Sequence, residues 1–303
     1  MRAIRSLELP ESVSRSSVIV VDNDSTDRTA EIARTSGAKV VSCRPGTPAH
    51  ARNTGAAQAT TDWLAFVDAD CELAQDWLAN VAPALDDEDV VAVGSRILPP
   101  SAETNWIVAA WGGLVSGSPS SKAMEAKRWL PTAGLVVRRE AFQAMNGFDE
   151  SLETCEDCDF GLRLSPHGKI LLCNAAVLTH HGESKSLREI FLREAWRTKG
   201  NFTLAKKRIG DWKNWVSLLL PPLLLATFFV TAIWAVLSFF RGASPILPCV
   251  FFLAATISPL LLVLRKRSAS SALGNLGHQY IVMVTYLAGR ACGLFVRFQR
   301  VAR

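Results

Sequence analysis

No aspartate or glutamate follows Asp211 in this 303-residue chain. All 28 acidic residues lie at or before it, whereas nine of the 33 Lys and Arg side chains come later. The first 211 residues are therefore mildly acidic and the rest is purely basic. An evenly basic chain would suggest nucleic acid as a partner. This division argues against that and for anionic lipid headgroups. Regular cysteine spacing is missing too. The seven cysteines are odd in number and scattered, which does not make a disulfide framework. Cys155 and Cys158 form a CxxC with no second pair nearby, which fits reduced thiols better than a zinc site. The opening stretch, MRAIRSLELPESV, holds no apolar run of secretory-signal length and is not read as one. No Ser-His-Asp or Cys-His spacing offers a covalent nucleophile.

What the chain does have is two long uncharged runs, residues 216–240 and 242–264. As a helix the first would be roughly 37 Å long, more than a bilayer's hydrocarbon requires. Pro221 and Pro222 are expected in its first turns, where a missing N–H costs least. Lys206, Lys207, Arg208 and Lys213 precede the runs, only Arg241 separates them, and Arg265, Lys266 and Arg267 follow. That pattern predicts a hairpin in a cell membrane, a multi-pass anchor with the large domain cytoplasmic. Trp212 and Trp215 would mark the interface. Residues 279–296 are interrupted by Arg290 and followed by more arginines, so an interfacial helix is expected there in preference to a third span. The expected domains are residues 1–211 and 212–303.

The first domain alternates strands and helices. SVIVV at 17–21 reads as a strand, 26–37 as a helix, 38–41 as a strand and 48–59 as a helix. WLAFV at 63–67 is apolar without alternation, as in a strand covered on both faces. Further strands are expected at 90–93 and 135–137, and in KILLC at 169–173. Helices are expected at 139–145 and, amphipathic, at 186–199. The rhythm predicts an α/β fold, a Rossmann-like mostly parallel sheet with helices on both faces. In such sheets ligands collect at the carboxyl ends of strands.

Carboxylates cluster at those ends. Asp68 and Asp70 follow WLAFV, two residues apart, so both can reach one metal ion from an extended segment. A solvated Asp-rich turn is the plainer reading of DxD alone. Asp22 follows VIVV, where it can accept hydrogen bonds from a nucleobase or form an Asx turn, work that Asp24 or Ser25 can also do. Arg52 can neutralise a ligand phosphate or pair with Asp70. Glu156, Asp157 and Asp159 form a second acidic cluster, either a base or the acidic start of a helix. His180 and His181 follow the KILLC region. One can ligate metal, or both can be structural; His181 is the candidate third ligand.

Taken in order, VIVVDNDSTDRT, ARNTGAAQATTDWLAFVDADC, PTAGLVVRREAFQAMNGFDE and ETCEDCDFGLRL resemble the family 2 inverting glycosyltransferases of GT-A fold, of the membrane-anchored kind. The likeness covers roughly residues 18 to 200. It implies a nucleotide-sugar donor and a Mg²⁺ or Mn²⁺ cofactor. The acceptor would be a lipid-linked or glycan hydroxyl at the membrane, with no nucleic acid partner. Asp22 and Asp24 would contact the nucleotide, Arg52 would help to hold it, and Asp68 and Asp70 would carry the metal on the diphosphate. Asp157 matches the family's base, with Glu156 beside it. Thr132, Gly134 and Asp149 would shape the acceptor side. Processive synthases of the family carry QxxRW. Here the corresponding FLREAWRTKGN offers Arg193, Trp196 and Arg197 for the diphosphate or acceptor, without the glutamine or the Arg–Trp order. The family also opens with a strand and a nucleotide-binding loop ahead of the DNDS strand. MRAIRSLELP reads instead as the end of the helix that follows them, so a missing first strand is expected.

Overall fold

The computed structural model describes residues 18–100, 105–115, 122–242, 244, 246–266 and 275–296. The expectation of a missing first strand falls on residues 1–17, outside the described residues, as do Arg267 and the arginines after Val296. Two compact units are present. One combines Met1–Ser101 with Pro119–Gly182, and the other combines Ala102–Ser118 with Glu183–Arg303. This differs from a division at residue 211. The helices Trp106–Val115 and Leu187–Lys207 belong to the second unit because Ile107, Trp111 and Ile190 are buried in one cluster with Val282, Met283 and Leu287.

In the first unit, β1 (Ile19–Asp22) and β2 (Lys39–Ser42) form a parallel pair. The other strands are β3 (Trp63–Phe66), β4 (Cys71–Leu73), β5 (Val90–Leu98), β6 (Met124–Lys127), β7 (Leu135–Arg138) and β8 (Lys169–His180). They form a sheet of order β3-β7-β5-β8-β4, with β6 also on β8. The fold is α/β as expected, with a mixed sheet: β5 and β8 run parallel, while β3–β7, β5–β7, β4–β8 and β6–β8 are antiparallel. Sequence rhythm counts helices between strands but is blind to short returning strands such as β4, a three-residue element after DAD.

Alternation along β5 divides the core. Ala92 joins Phe66, Phe142, Phe148 and Phe160 on one face. Val93 and, partly buried, Ile97 pack with Trp77 and Leu178 on the other. Each buried phenylalanine contributes about 2–3 kcal/mol by leaving water. The Trp77 indole N–H donates to Ser95 Oγ at 2.7 Å, and Ser95 Oγ donates to the Gly134 carbonyl at 2.6 Å. No polar atom in that chain is left unmet.

The second unit is helical. Trp212–Phe240 and Ile246–Lys266 are long and apolar enough to cross a membrane, and only 11% and 22% of their most apolar stretches are buried within the protein. Pro221 and Pro222 lie inside the first of these, because the helix begins at Trp212 and not at Val216. Proline at 221 leaves the Ser217 carbonyl without its helical donor. The Arg290 guanidinium donates to that carbonyl at 3.1 Å instead. Arg290 belongs to Leu276–Cys292, a 17-residue helix at the lower limit of a span's length. Gly289 and Gly293 let this helix approach Leu187–Lys207 closely: a Cβ at either would stand 2.5 Å or less from the Phe191 or Ala195 carbonyl oxygen.

Candidate active site

β3 runs out at Phe66, and the chain turns through Asp68, Ala69 and Asp70 into β4. The Cys71 N–H donates to the Asp68 carbonyl at 3.0 Å and closes that turn. β4 then pairs with the end of β8, placing Cys71 opposite His180. His180 Nε2 stands 3.5 Å from Asp70 Oδ1. The ligating atoms of Asp70, Cys71 and His180 all lie within 4.8 Å of one another. The neighbouring His181 is differently placed. Its backbone N–H donates to the Asp70 carbonyl at 2.8 Å, and its ring pairs with Glu72 at 3.1 Å. Adjacent residues of extended chain point to opposite faces, so only one of two consecutive histidines can meet Asp70. The geometry brings His180 there, where the sequence offered His181.

Arg52 lies in the helix Pro48–Ala56, which starts cleanly because Pro48 sits in its first turn and the Thr47 hydroxyl accepts from the His50 N–H. Its guanidinium forks between two carboxylates: NH2 to Asp68 Oδ1 and NH1 to Glu156 Oε1, both at 2.6 Å. Burial opposes the charge, but Asp68 and Glu156 together outweigh it and hold the Arg52 guanidinium above its ordinary value. Arg52 therefore pairs with Asp68, where the sequence suggested Asp70. The next residue, Asn53, secures the GFDE segment. It accepts from the Phe148 N–H at 2.9 Å and donates to the Phe148 carbonyl at 2.8 Å and to Glu150 at 2.9 Å. Hydrogen bonds from Asn53 and then His50 lower the Glu150 carboxyl below its usual value. Asn53 was not singled out in the sequence. Its signal was its position in ARNTG, next to Arg52 on a short helix.

The helix Glu156–Leu164 supplies the second acidic cluster. Glu156 is buried against Arg52. Asp159 is buried against Arg163 at 2.8 Å, and Arg163 also donates to the carbonyls of Met145 and Gly147. Both are thereby structural anchors. Asp157 is half-buried, and its Oδ1 accepts from the Cys158 N–H at 2.7 Å. Cys155, just before the helix, has φ 67° and ψ 17°. A non-glycine residue is rarely left-handed, and such strain concentrates at functional sites.

The remaining predicted residues divide. Asp22 ends β1, and its Oδ1 accepts from the Ser25 N–H at 3.1 Å in an Asx turn. Asp24 is exposed at φ 60°. Thr132 is buried, and Gly134 donates to the Phe66 carbonyl at 2.9 Å, which fastens this segment beside the end of β3. Gly134 has φ +73°, and a Cβ would stand 2.3 Å from Leu178, so only glycine fits. Asp149 accepts from the Ser151 N–H and hydroxyl in a local turn. Arg193, Trp196 and Arg197 belong to the second unit. There Arg193 lies 3.6 Å from Glu183, and Arg197 2.9 Å from Glu194. A second residue went unnoticed in the sequence. Arg96 is half-buried on β5, at an irregularity in its register with β8. Its Nε is buried and has no hydrogen-bond partner among the described residues. A charge within the apolar run VVAVGSRIL was the signal.

Residues 2–142 match the model for Glycosyl transferase family 2. The chain carries a family 2 glycosyl transferase domain. The chain is 31% identical over 154 residues to a pre-mycofactocin glycosyltransferase of Mycobacterium tuberculosis, a match covering 49% of the chain and 33% of that protein. The chain thus spans about a third of that relative. A second relative, the glycosyltransferase AglE of Haloferax volcanii, is 26% identical over 249 residues, covering 79% of this chain and 75% of that protein. In three dimensions the chain resembles the mannosyltransferase PcManGT from Pyrobaculum calidifontis, solved with GDP-Man and Mn²⁺. The TM-score is 0.64 at 19% identity, over 97% of this chain and 81% of that one. At that identity the likeness is one of fold. The glycosyl transferase domain has the GT-A architecture that the motifs implied.

The Arg52 bridge yields a stability prediction. Arg52→Met removes the one cation between Asp68 and Glu156 and leaves Glu156 buried and unpaired. The expected loss is about 2–3 kcal/mol, below the ceiling for a fully buried pair because Asp68 is a third exposed. Denaturant unfolding of the full chain measures it. A midpoint equal to the parent's would remove Arg52 from the framework of the site.

Proposed function

We propose that the protein is an inverting glycosyltransferase that moves a sugar from a nucleoside-diphosphate sugar to a hydroxyl acceptor. The observation that carries this is the junction at the end of β3. There Asp68 and Glu156 are fixed by Arg52, Asp70 faces His180, and Asp157 begins the adjoining helix. Asp157 would accept the proton of the acceptor hydroxyl. The hydroxyl oxygen would form its bond to the anomeric carbon from the face opposite the diphosphate. The bond from that carbon to the diphosphate oxygen breaks, and the nucleoside diphosphate departs with the electron pair. Asp70 and His180 fit a divalent cation, Mn²⁺ or Mg²⁺, because their donor atoms converge and combine carboxylate with imidazole. Such an ion, when bound, supplies positive charge for the diphosphate. Gly134 and Thr132 lie beside the end of β3 and are assigned to the acceptor side.

The two long apolar helices support a membrane anchor. We assign the glycosyl transferase domain and Lys266 to the cytoplasmic side and Ser244 to the other, from the charges that flank the helices. A cysteine placed at 244 should react with an impermeant thiol reagent on intact cells. Labelling only after permeabilisation would overturn the hairpin. A phosphate acceptor such as a polyprenyl phosphate is the second reading, favoured by Arg96, whose buried guanidinium nitrogen has no partner among the described residues. The deciding experiment is a panel of nucleotide-sugars assayed with Mn²⁺ on the membrane-embedded full chain, with membrane lipid extract as acceptor. Transfer from one donor with inversion supports the proposal. Binding of a donor without transfer to any acceptor would reduce the protein to a nucleotide-sugar-binding partner.

A further inference from the structure

Arg290 is a buried cation that makes no ion pair among the described residues. Its residue is 8% exposed. Its hydrogen-bond partners among the described residues are neutral: the Tyr286 hydroxyl at 3.0 Å and the Ser217 carbonyl and hydroxyl at 3.1 and 3.3 Å. Filling the Ser217 carbonyl freed by Pro221 occupies a single nitrogen, and Nε has no partner among the described residues. A guanidinium removed from water without an opposing charge costs several kcal/mol.

The protein has little to offer as that charge. No carboxylate follows Asp211. Within the second unit, Glu194 is buried and already pairs with Arg197 at 2.9 Å and lies 3.9 Å from Arg193. Positive charge is instead added from another helix. The Lys266 ammonium lies 5.8 Å from the centre of the Tyr286 ring, and the Arg290 guanidinium lies 5.7 Å from the same ring. Lys266 is exposed, makes no ion pair among the described residues, and is attracted only at longer range by Glu194, which Arg197 already holds. It is the last residue of one long apolar helix, and Ser217 lies in the second turn of the other. In the hairpin proposed above, both stand at headgroup depth on one side of the bilayer.

We propose that Arg290 and Lys266, both within 6 Å of the Tyr286 ring, bind the phosphate of an anionic membrane lipid. A phosphate monoester brings two negative charges and several acceptor oxygens to a guanidinium nitrogen without a partner among the described residues and to an ammonium whose attracting carboxylate, Glu194, is shared with Arg197. The site rests on the membrane reading of the two apolar helices, but not on sugar transfer.

The test uses the full chain in a neutral maltoside detergent. Native mass spectrometry and thermal melting are recorded with dioctanoyl phosphatidic acid, dioctanoylglycerol or inorganic phosphate. Phosphatidic acid should be retained and raise the melting temperature, while the neutral lipid and inorganic phosphate at equal concentration should not. Lys266→Gln should weaken phosphatidic acid binding about tenfold, and Arg290→Gln should weaken it further. If Arg290→Gln does not fold, Lys266→Gln and Arg290→Lys decide the matter. Binding of phosphatidic acid no tighter than dioctanoylglycerol, or unchanged by Lys266→Gln, would overturn the site. Inorganic phosphate binding as tightly as the lipid would overturn the lipid assignment. Extraction of the chain from membranes by alkaline carbonate would show instead that the membrane reading had failed.

Discussion

Asp157→Asn should lower turnover on a hydroxyl acceptor by about 10²-fold or more, the scale expected when a general base is removed. The amide keeps the shape of the carboxylate and can still accept from the Cys158 N–H through its oxygen, as Asp157 does at 2.7 Å. The helix start should therefore survive, and donor binding should change little. Its neighbour behaves differently. Glu156 is buried on Arg52, so Glu156→Gln should lower stability as well as activity. The contrast separates proton transfer from architecture. Measuring kcat and melting temperature for both variants checks it. Near-parental turnover in Asp157→Asn would remove that residue as the base and favour a phosphate acceptor, which needs none.

Chelation should abolish transfer altogether, and Mn²⁺ or Mg²⁺ should restore it. Asp70 and His180 stand 3.5 Å apart at the carboxyl ends of two strands, a spacing one ion can bridge. Asp70→Asn should weaken donor binding by an order of magnitude or more, since it removes the charge that favours an ion there. The fold should persist, because the Asp70 backbone still accepts from the His181 N–H. The two histidines provide an internal control. His180→Ala should reproduce much of the Asp70→Asn defect, whereas His181→Ala should cost little beyond its contact with Glu72. Donor titration by calorimetry, with and without EDTA, reads all three variants. Full activity in excess EDTA would discard the metal, and equal defects in the two histidine variants would discard the assignment of His180.

How much of this was legible in the residues follows from the range of each signal. The strand WLAFV, the helix of ARNTG and the acidic turn after WLAFV are local, and they stand within three residues of where pattern placed them. Side-chain partners are not local. Arg52 reaches Asp68 and Glu156, and nothing in sequence spacing separates Asp68 from Asp70 as its partner. His180 and His181 differ only in which way the end of β8 faces, and that depends on its register with β4. β4 itself is too short to carry a period. The proline pair was misplaced because polar Trp-Lys-Asn-Trp hid the helix's first turn, and an apolar run does not show where a helix begins. Arg96 escaped because a single charge inside an apolar strand marks a position but names no partner or ligand.

The Arg52 fork also bears on the order of folding. Its two bonds span 16 and 104 positions of chain. Closing the longer loop carries a large entropic cost before any bond rewards it, which places this contact among the slow, late events of folding. The acidic cluster is therefore expected to assemble after the local helices have formed. A nascent or locally opened molecule would hold its carboxylates apart, so refolding followed by donor binding should lag behind refolding followed by helix content. The same separation means that sequence changes far from Arg52, anywhere along the intervening segment, can disturb the pocket without touching it.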